Sequence, residues 1–501
     1  MHNRTPTGAE RVLVLDVGSS SVRATFFDAT GESLPSGEEM RRRYRWRSEP
    51  EGAMECEADR LLAEVEQVLD AAVAKARAER LEIVAVAIAA FWHSLMGLDR
   101  SGMPSTPVFG WGDTRASDTA ISLRAQVEER AIHERTGCFL HPSYPLVRLV
   151  WLRSHDPDAF ARTAAWVSFP EYLEERLLGV RRCSISMASG SGLLDVHRCD
   201  WDERAAEVAG IDPRQLSPLV DAHEAASGLR PEYAQRWPEL AHIPWFPALG
   251  DGACANAGSG AVGTERFGVT VGTSAAVRAL WQPGGRVSIP EALWCYRLDR
   301  RWWVAGGALS NGGNALDYLR RTLRVGTTAE SDPRVGVLPP DGHGLTVLPF
   351  LRGERGPGWQ MEREGVMVGM SDVTRPEEIL RAWMEAVAYR IARVAERLEE
   401  VGGPVREVVA SGGALYSSPA WTQILADVLN RPVVLTGERE DTSRGAALMA
   451  LRSLGLIEGL RELAPPVARR LEPDPDRHAV YCEAAARQQR LLEVLATWSD
   501  R

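Results

Sequence analysis

Two widely separated segments of the chain share one local design. Val12–Asp16 is an apolar run of strand type; it enters a tight small-residue turn, Val17-Gly18-Ser19-Ser20-Ser21, and leaves through a second strand-like run, Val22–Asp28. Phe267–Val271, Gly272-Thr273-Ser274 and Ala276–Trp281 repeat that order: apolar strand, small hydroxyl-bearing turn, returning apolar strand. A repeat at this range is not a solenoid, whose units recur every few tens of residues. It implies one supersecondary unit duplicated, one copy per half. The copies differ at one telling place: Asp16 lies two residues before Gly18, while Thr270 lies two before Gly272, so only the first copy carries a carboxylate.

The pattern between these units is alternating. Leu61, Leu62, Val65, Val68, Leu69 and Ala72 recur at helical spacing and predict a helix over 58–80, followed by a buried strand at 83–89. Helices are expected near 144–153 and 170–178. A stretch rich in proline, from Pro213 to Pro247, then marks a domain boundary, giving domains 1–248 and 249–501. In the second half, Ile379, Leu380, Trp383, Met384, Val387, Ile391, Val394 and Leu398 predict a helix over 376–400; a strand at 405–410 and a helix at 418–429 follow, and an Arg-rich tail begins near 465. Strands and helices alternate in both halves, so the fold class is α/β.

Composition then removes whole classes of function. The formal net charge is −10, which excludes a general nucleic-acid binder held by counterion release. Lys75 is the single lysine among 58 basic residues, and it lies in AVAKARAER, a helical surface without a glycine loop. A Walker A loop, a protein-kinase fold and a pyridoxal Schiff base each need a lysine in a set place, so all three are excluded. The seven cysteines are scattered without C-x-x-C pairs, which points away from a disulfide framework or structural zinc and towards a reducing, cytoplasmic setting. The N-terminal residues lack a signal-peptide layout, and the longest apolar stretch, residues 83–92, is too short to span a bilayer, so no membrane association is expected.

Chemistry concentrates in a few short segments. Turns of small residues expose successive backbone N–H groups, and with Ser and Thr hydroxyls these can cradle an anion without lysine. Each turn alone is an ordinary hairpin tip. The pair, with Asp16 beside one of them, reads as a clamp for a nucleotide's phosphates, with Asp16 reaching Mg²⁺ through water. Asp251 sits between glycines in Leu249-Gly250-Asp251-Gly252, ahead of a small-residue helix; as an isolated feature it reads as a helix-start residue. Gly258-Ser-Gly-Ala-Val-Gly263 matches the dinucleotide fingerprint literally but precedes a strand, so it reads as a helix end. Trp92-His93 and Trp111-Gly-Asp113-Thr-Arg115 mix aromatic, acidic and cationic groups as a sugar site does; individually His93 reads as a structural histidine and Asp113–Arg115 as a local ion pair.

In order and spacing these segments resemble the FGGY carbohydrate kinases from near residue 11 to near 455. The residues that carry the likeness are Asp16-Val-Gly-Ser-Ser-Ser-Val-Arg23, Phe91-Trp-His-Ser-Leu-Met96 with Trp111–Ala116, Gly250-Asp251, Gly272-Thr273-Ser274, Phe350-Leu-Arg-Gly-Glu-Arg355 with Gly365–Met370, and Ser411-Gly-Gly-Ala-Leu415. Within that family the chain is most similar to the gluconate kinases, through Trp92-His93-Ser94, His141–Leu146, Asp251–Asn256, Gly272–Arg278 and Ser310–Asn314; the usual lysine of the first-domain helix is Arg148 here.

The resemblance implies two ribonuclease H-like domains of the actin-like ATPase and sugar-kinase type, with ATP, Mg²⁺ and a sugar or sugar acid bound in the cleft between them. It implies that Gly18, Ser19, Ser20, Ser21, Arg23, Gly272, Thr273 and Gly313 are nucleotide-binding, with Ser19, Ser20, Ser21 and Thr273 holding the phosphates and Arg23 adding charge, and that Gly412, Gly413 and Ala414 lie by the adenine. Asp16 and Asp251 become the metal-facing carboxylates, Asp251 the catalytic base, and Trp92, His93, Asp113 and Arg115 the substrate contacts, with His93 and Arg115 as donors to a gluconate carboxylate. The expected reaction is phosphorylation of a terminal hydroxyl, most closely D-gluconate to 6-phosphogluconate. A kinase for a neutral ketose or polyol is the alternative, and a non-catalytic nucleotide sensor a remote one. A homodimer is compatible with the sequence.

Overall fold

The computed structural model describes residues 10–499 apart from Ser36 and Arg439; the first nine residues, on which the reading of the N-terminus rests, lie outside it. Apolar segments with period two give two central sheets. The first is ordered Leu249–Gly250, Glu82–Ala90, Glu10–Val17, Ser21–Phe27, Arg41–Arg43. Glu10–Val17 pairs antiparallel with Ser21–Phe27 and parallel with Glu82–Ala90. The second sheet has seven strands, and its middle five repeat this order and these directions: Val433–Thr436, Glu407–Ser411, Arg266–Val271, Ala275–Trp281, Trp303–Leu309. Trp294–Arg297 and Val467–Leu471 extend it at the two edges. The duplication suggested by two turns is thus a duplication of whole five-stranded sheets, and each half is a ribonuclease H-like domain.

The helices follow the sheets. Ala58–Glu79 lies between the third and fourth strands of the first repeat, and Pro376–Gly402 occupies the equivalent place in the second. Both match the apolar stripes read from sequence, and Pro145–His155, Phe169–Leu178 and Pro419–Leu429 also fall where periodicity puts them. The domain boundary differs slightly from expectation. Leu249 and Gly250 return, after the proline-rich stretch, to form the edge strand of the first sheet alongside Ala89 and Ala90. The tail from 465 adds the edge strand Val467–Leu471 and a 25-residue helix, Pro475–Ser499. Among the described residues no helix is long and apolar enough to cross a membrane.

The helix that follows the last repeat strand of each domain meets its counterpart. Asp251–Ser259 packs against Asp441–Ser453, and the latter also lies on the Glu10–Val17 and Glu82–Ala90 strands of the first domain. Their backbones approach so closely that a Cβ at Gly258 would lie 1.9 Å from the Asp441 carbonyl oxygen, and one at Gly445 would lie 1.9 Å from that of Cys254. Gly260, in the left-handed region at φ +75°, ends the first of these helices, so the G-x-G-x-x-G run is the helix end anticipated above. Forcing a side chain into a packed contact typically costs about 1–3 kcal/mol, and more against rigid backbone. Gly445→Ala is therefore expected to lower the unfolding free energy, read from denaturant melts, by at least that much, whereas Gly284→Ala, whose Cβ would meet nothing within 4 Å, leaves it unchanged.

Candidate active site

Each hairpin tip is closed by one glycine N–H and otherwise held by its carbonyls, which leaves the N–H groups between unspent. In the first, Gly18 N–H donates to the Ser21 carbonyl at 3.0 Å, the Tyr44 hydroxyl donates to Gly18 O at 2.6 Å, and Trp46 Nε1 donates to Ser19 O at 2.5 Å. In the second, Gly272 N–H donates to Ser274 O at 2.9 Å, while Gly313 and Asn314, at the start of the Gly313–Leu323 helix, donate to the carbonyls of Gly272 and Thr273. Among the described residues the N–H groups of Ser19, Ser20 and Thr273 have no backbone partner. Amides oriented this way form an anion nest. Gly412, at φ +92°, brings the 412–414 turn onto the Val271 backbone, and a Cβ on Gly313 would lie 3.4 Å from that of Ala414. Gly272, Thr273, Gly313, Gly412 and Ala414 therefore form one wall. A Cβ on Gly272 or Gly413 would meet no protein atom within 4 Å, so the space beside these two residues is open to a ligand.

Asp16 is buried and accepts from Arg23 Nε at 2.9 Å and Nη2 at 2.6 Å. Arg23 turns its other nitrogen to Glu440, just before the Asp441–Ser453 helix, at 2.6 Å. Arg23 was expected to add charge to the phosphates; here it ties Asp16 to the second domain, a link that spans over 400 residues and has no local sequence signal. Ser21, at 7% exposure, opens the returning strand opposite Arg43.

Asp251 begins its helix directly from the Leu249–Gly250 strand. The Trp92 ring lies against this corner: a Cβ on Gly250 would fall 1.8 Å from the ring, and one on Gly252 2.8 Å from it. The two glycines thus let an aromatic wall reach the carboxylate, and Trp92 is itself pinned by Nε1 donating to Ser186 O at 2.9 Å. The Asp251 carboxylate accepts from Gly252 N–H at 2.7 Å. Burial, then the neighbouring Asp16 carboxylate, push its pKa up to about 6. Two neighbouring carboxylates offer the hard oxygen donors that Mg²⁺ takes.

Beyond Trp92 lies an aromatic chamber. His93 is held in the left-handed region at φ +69°, and its Nδ1–H donates to Gly190 O at 2.6 Å. Burial holds its pKa down at about 3, with Arg355 and Arg148 adding to the effect, so the ring is neutral and Nε2 is an acceptor. This runs against the expectation that His93 donates to a carboxylate: with Nδ1–H committed to Gly190, the free ring nitrogen is an acceptor. Tyr144 and Tyr296 join hydroxyls at 2.6 Å across the domains, next to His93. Asp113 and Arg115 are less available than the sequence suggested. Arg115 grips Asp113 at 2.6 Å and Glu55 at 2.7 Å, and its guanidinium carbon lies 5.0 Å from the centre of the Trp151 ring, so this pair clips the 111–115 loop to the Glu55 strand.

Two cations missed as site residues lie here. Arg148 is 1% exposed and donates to the carbonyls of His93, Gly110, Pro142 and Ser143, with no carboxylate within 4 Å among the described residues. Arg355 lies 5.6 Å from the Trp111 ring and acts electrostatically on His93, His141, Tyr144 and Tyr296. The sequence offered only one signal for them, their place in family-like motifs.

The two hairpin tips, the Asp16 and Asp251 carboxylates and the aromatic wall beyond Trp92 thus stand near the meeting of the two domains. The chain belongs to the FGGY family of carbohydrate kinases: the family's N-terminal domain matches residues 11–258 and its C-terminal domain residues 268–454. It is 29% identical to a gluconokinase of Bacillus subtilis over 384 residues, 73% of each chain, and 24% identical to a xylulose kinase of the same organism, covering 91% of each. Its fold matches that of a gluconate kinase from Lactobacillus acidophilus with a TM-score of 0.90, at 23% identity, over 97% of this chain and 98% of the other. The protein is accordingly an enzyme, a phosphotransferase with an alcohol acceptor, and the non-catalytic sensor reading is set aside.

The raised Asp251 pKa makes its ionised form a cost to the fold. That cost is complete above about 6 and vanishes below the ordinary carboxylate range, where folded and unfolded states both hold the proton. Asp251→Asn should therefore melt at a higher temperature than the parent at pH 8, with the difference closing as pH falls to about 4; a pH series of thermal melts reads it.

Proposed function

We propose that this enzyme transfers the γ-phosphoryl group of ATP to the 6-hydroxyl of D-gluconate, giving 6-phosphogluconate and ADP. The observation that carries the acid over a neutral sugar is charge. On the acceptor side of Asp251, the carboxylates Asp113 and Glu55 are already neutralised by Arg115, while Arg148 and Arg355 have no counter-ion among the described residues. Arg148 is buried and the Nε of the half-buried Arg355 is enclosed without a partner, and cations desolvated in this way are costly unless an anion meets them. A neutral ketose offers none. The gluconokinase relatives support the same reading, and the xylulose kinase relatives support the alternative of a neutral ketose.

In this mechanism the amides of Ser19, Ser20 and Thr273, with the Ser and Thr hydroxyls, hold the phosphates. Gly412, Gly413 and Ala414 lie by the adenine. Asp16 and Asp251 would hold Mg²⁺, which when bound neutralises charge on the β- and γ-phosphates. His93 Nε2 and the tyrosine pair orient the acceptor's hydroxyls, and Trp92 closes the chamber against water. Asp251 takes the proton of the 6-hydroxyl as its oxygen bonds to the γ-phosphorus. The bond from that phosphorus to the β,γ-bridging oxygen breaks, and its electron pair stays on ADP. Alignment and charge neutralisation carry most of the acceleration in such transfers.

A positioned base typically contributes about 10²–10⁴-fold. Asp251→Asn should lose kcat by about that factor while ATP still binds, measured by nucleotide titration beside turnover. In the parent, kcat/KM should fall on the acid side of about 6, where Asp251 takes up its proton. A coupled ADP assay over gluconate, xylulose, xylitol and glycerol tests the substrate: gluconate should give the highest kcat/KM, and a higher value for xylulose rejects the acid reading.

A further inference from the structure

Arg148 and Arg355 both lack counter-ions, but they are not equally free. Arg148 has spent its guanidinium on four backbone carbonyls, which organise the loops around His93, Gly110 and Pro142. Arg355 has no hydrogen bond or ion pair from its guanidinium among the described residues, and its Nε is buried without a partner.

Its own loop explains why it stays free. The neighbouring Glu354 is buried and already held by Arg390 and Arg363, so it cannot fold back onto Arg355. Gly356 N–H donates to Ala308 O at 2.7 Å, and Glu354 N–H to Gln360 O at 2.9 Å, fixing both sides of the residue. Trp359 then stacks 4.1 Å from Phe139, docking the loop on the first domain. The guanidinium is thereby presented towards Trp111, His141, Tyr144 and Tyr296, in a wall without an available carboxylate. Beside it, His141 accepts Ser143 N–H on Nδ1 at 3.2 Å, and burial keeps the ring neutral, so Nε2–H is a donor. The charges that act on Asp251, by contrast, are Asp16 and Arg278.

We infer that Arg355 is the carboxylate-binding residue of the acceptor site, receiving the C1 carboxylate of an open-chain polyhydroxy acid whose far hydroxyl reaches Asp251. The inference rests on the acid reading above and goes further by assigning acid selectivity to one guanidinium, from the second domain, in place of His93 or Arg115. A planar guanidinium suits this role because it can meet a carboxylate through two parallel hydrogen bonds.

The test compares D-gluconate with D-glucitol, which keeps the hydroxyl chain and has no carboxylate, in the parent enzyme, Arg355→Gln and Arg355→Lys. The readout is the ratio of kcat/KM for the two acceptors within each variant, which cancels any change in the folded fraction. The parent should favour gluconate. Arg355→Gln should cut the ratio by about 10- to 100-fold, the range for a lost charge-assisted hydrogen bond, chiefly through KM for gluconate. Arg355→Lys should recover part of it, since charge is kept and the fork is lost. If the parent favours gluconate and Arg355→Gln keeps the parent's ratio, the assignment to Arg355 is overturned and the acid reading stands. If the parent shows no preference for gluconate, the acid reading itself falls, and this inference with it.

Discussion

The close crossing of two short helices is the constraint from which the site follows. Asp251–Ser259 starts at one sheet and Asp441–Ser453 at the other, and they can touch only because Gly258 and Gly445 have no side chain to interpose. The start of the first helix carries Asp251. The residue before the second is Glu440, which reaches back through Arg23 to Asp16. Asp251 and Asp16 both stand at strand ends of the first sheet, and the crossing brings the second domain against them through Glu440 and Arg23. Asp441 shows the cost of this convergence: burial, with Glu438 and Glu440 nearby, pushes its carboxyl up to about 7. Acidic groups crowded at a buried domain crossing are poor for stability and are tolerated where their placement serves something else.

Arginine does nearly all the cationic work in this chain, and its fate at each position separates scaffold from site. Arg115 is bound by two carboxylates and lies over Trp151 and Phe109, which makes it a structural clip. Arg148 binds only carbonyls, so it orders three loops while leaving its charge uncancelled. Arg23 is shared between Asp16 and Glu440. Arg278 donates to Asn256 at 3.1 Å and to Thr270 at 2.8 Å, behind the second tip. Arg355 alone in this group has no partner for its guanidinium among the described residues. A lysine at any of these places would offer a point charge without the flat, multi-donor geometry that lets one side chain bridge several acceptors.

What could be read from the sequence was local or periodic. The two hairpins, the stripe of the 376–402 helix and the helix start at Asp251 are each set by neighbours within a few residues, and the structure has them where pattern placed them. Leu249–Gly250 was missed as a strand because two residues carry no period; only the edge of a sheet formed 160 residues earlier defines it. The tail from 465 was legible as Arg-rich and not as strand and helix, because its strand is almost wholly exposed and so lacks alternation. At the site, residue types were legible and their partners were not. Asp113–Arg115 reads equally as sugar contact or ion pair until Glu55 closes on it. His93 reads as donor or acceptor until Gly190 fixes its tautomer. Arg355 is one arginine among many until Glu354 proves to be committed elsewhere.

That last set of partners separates recognition from chemistry. His93 and His141 line the acceptor chamber but are kept neutral by burial and by the arginines beside them, so neither changes charge near neutrality. The positive charge of the chamber comes from guanidinium groups, which keep their protons throughout the working range. Asp251 is the group set to titrate near 6, and the charges that act on it are those of Asp16 and Arg278. In the proposed reaction, binding of the acid acceptor and activation of its hydroxyl thus depend on different charges at different ends of one chamber. The proposed acceptor, anionic at one end and hydroxylated at the other, would meet both, a requirement stricter than either charge alone imposes.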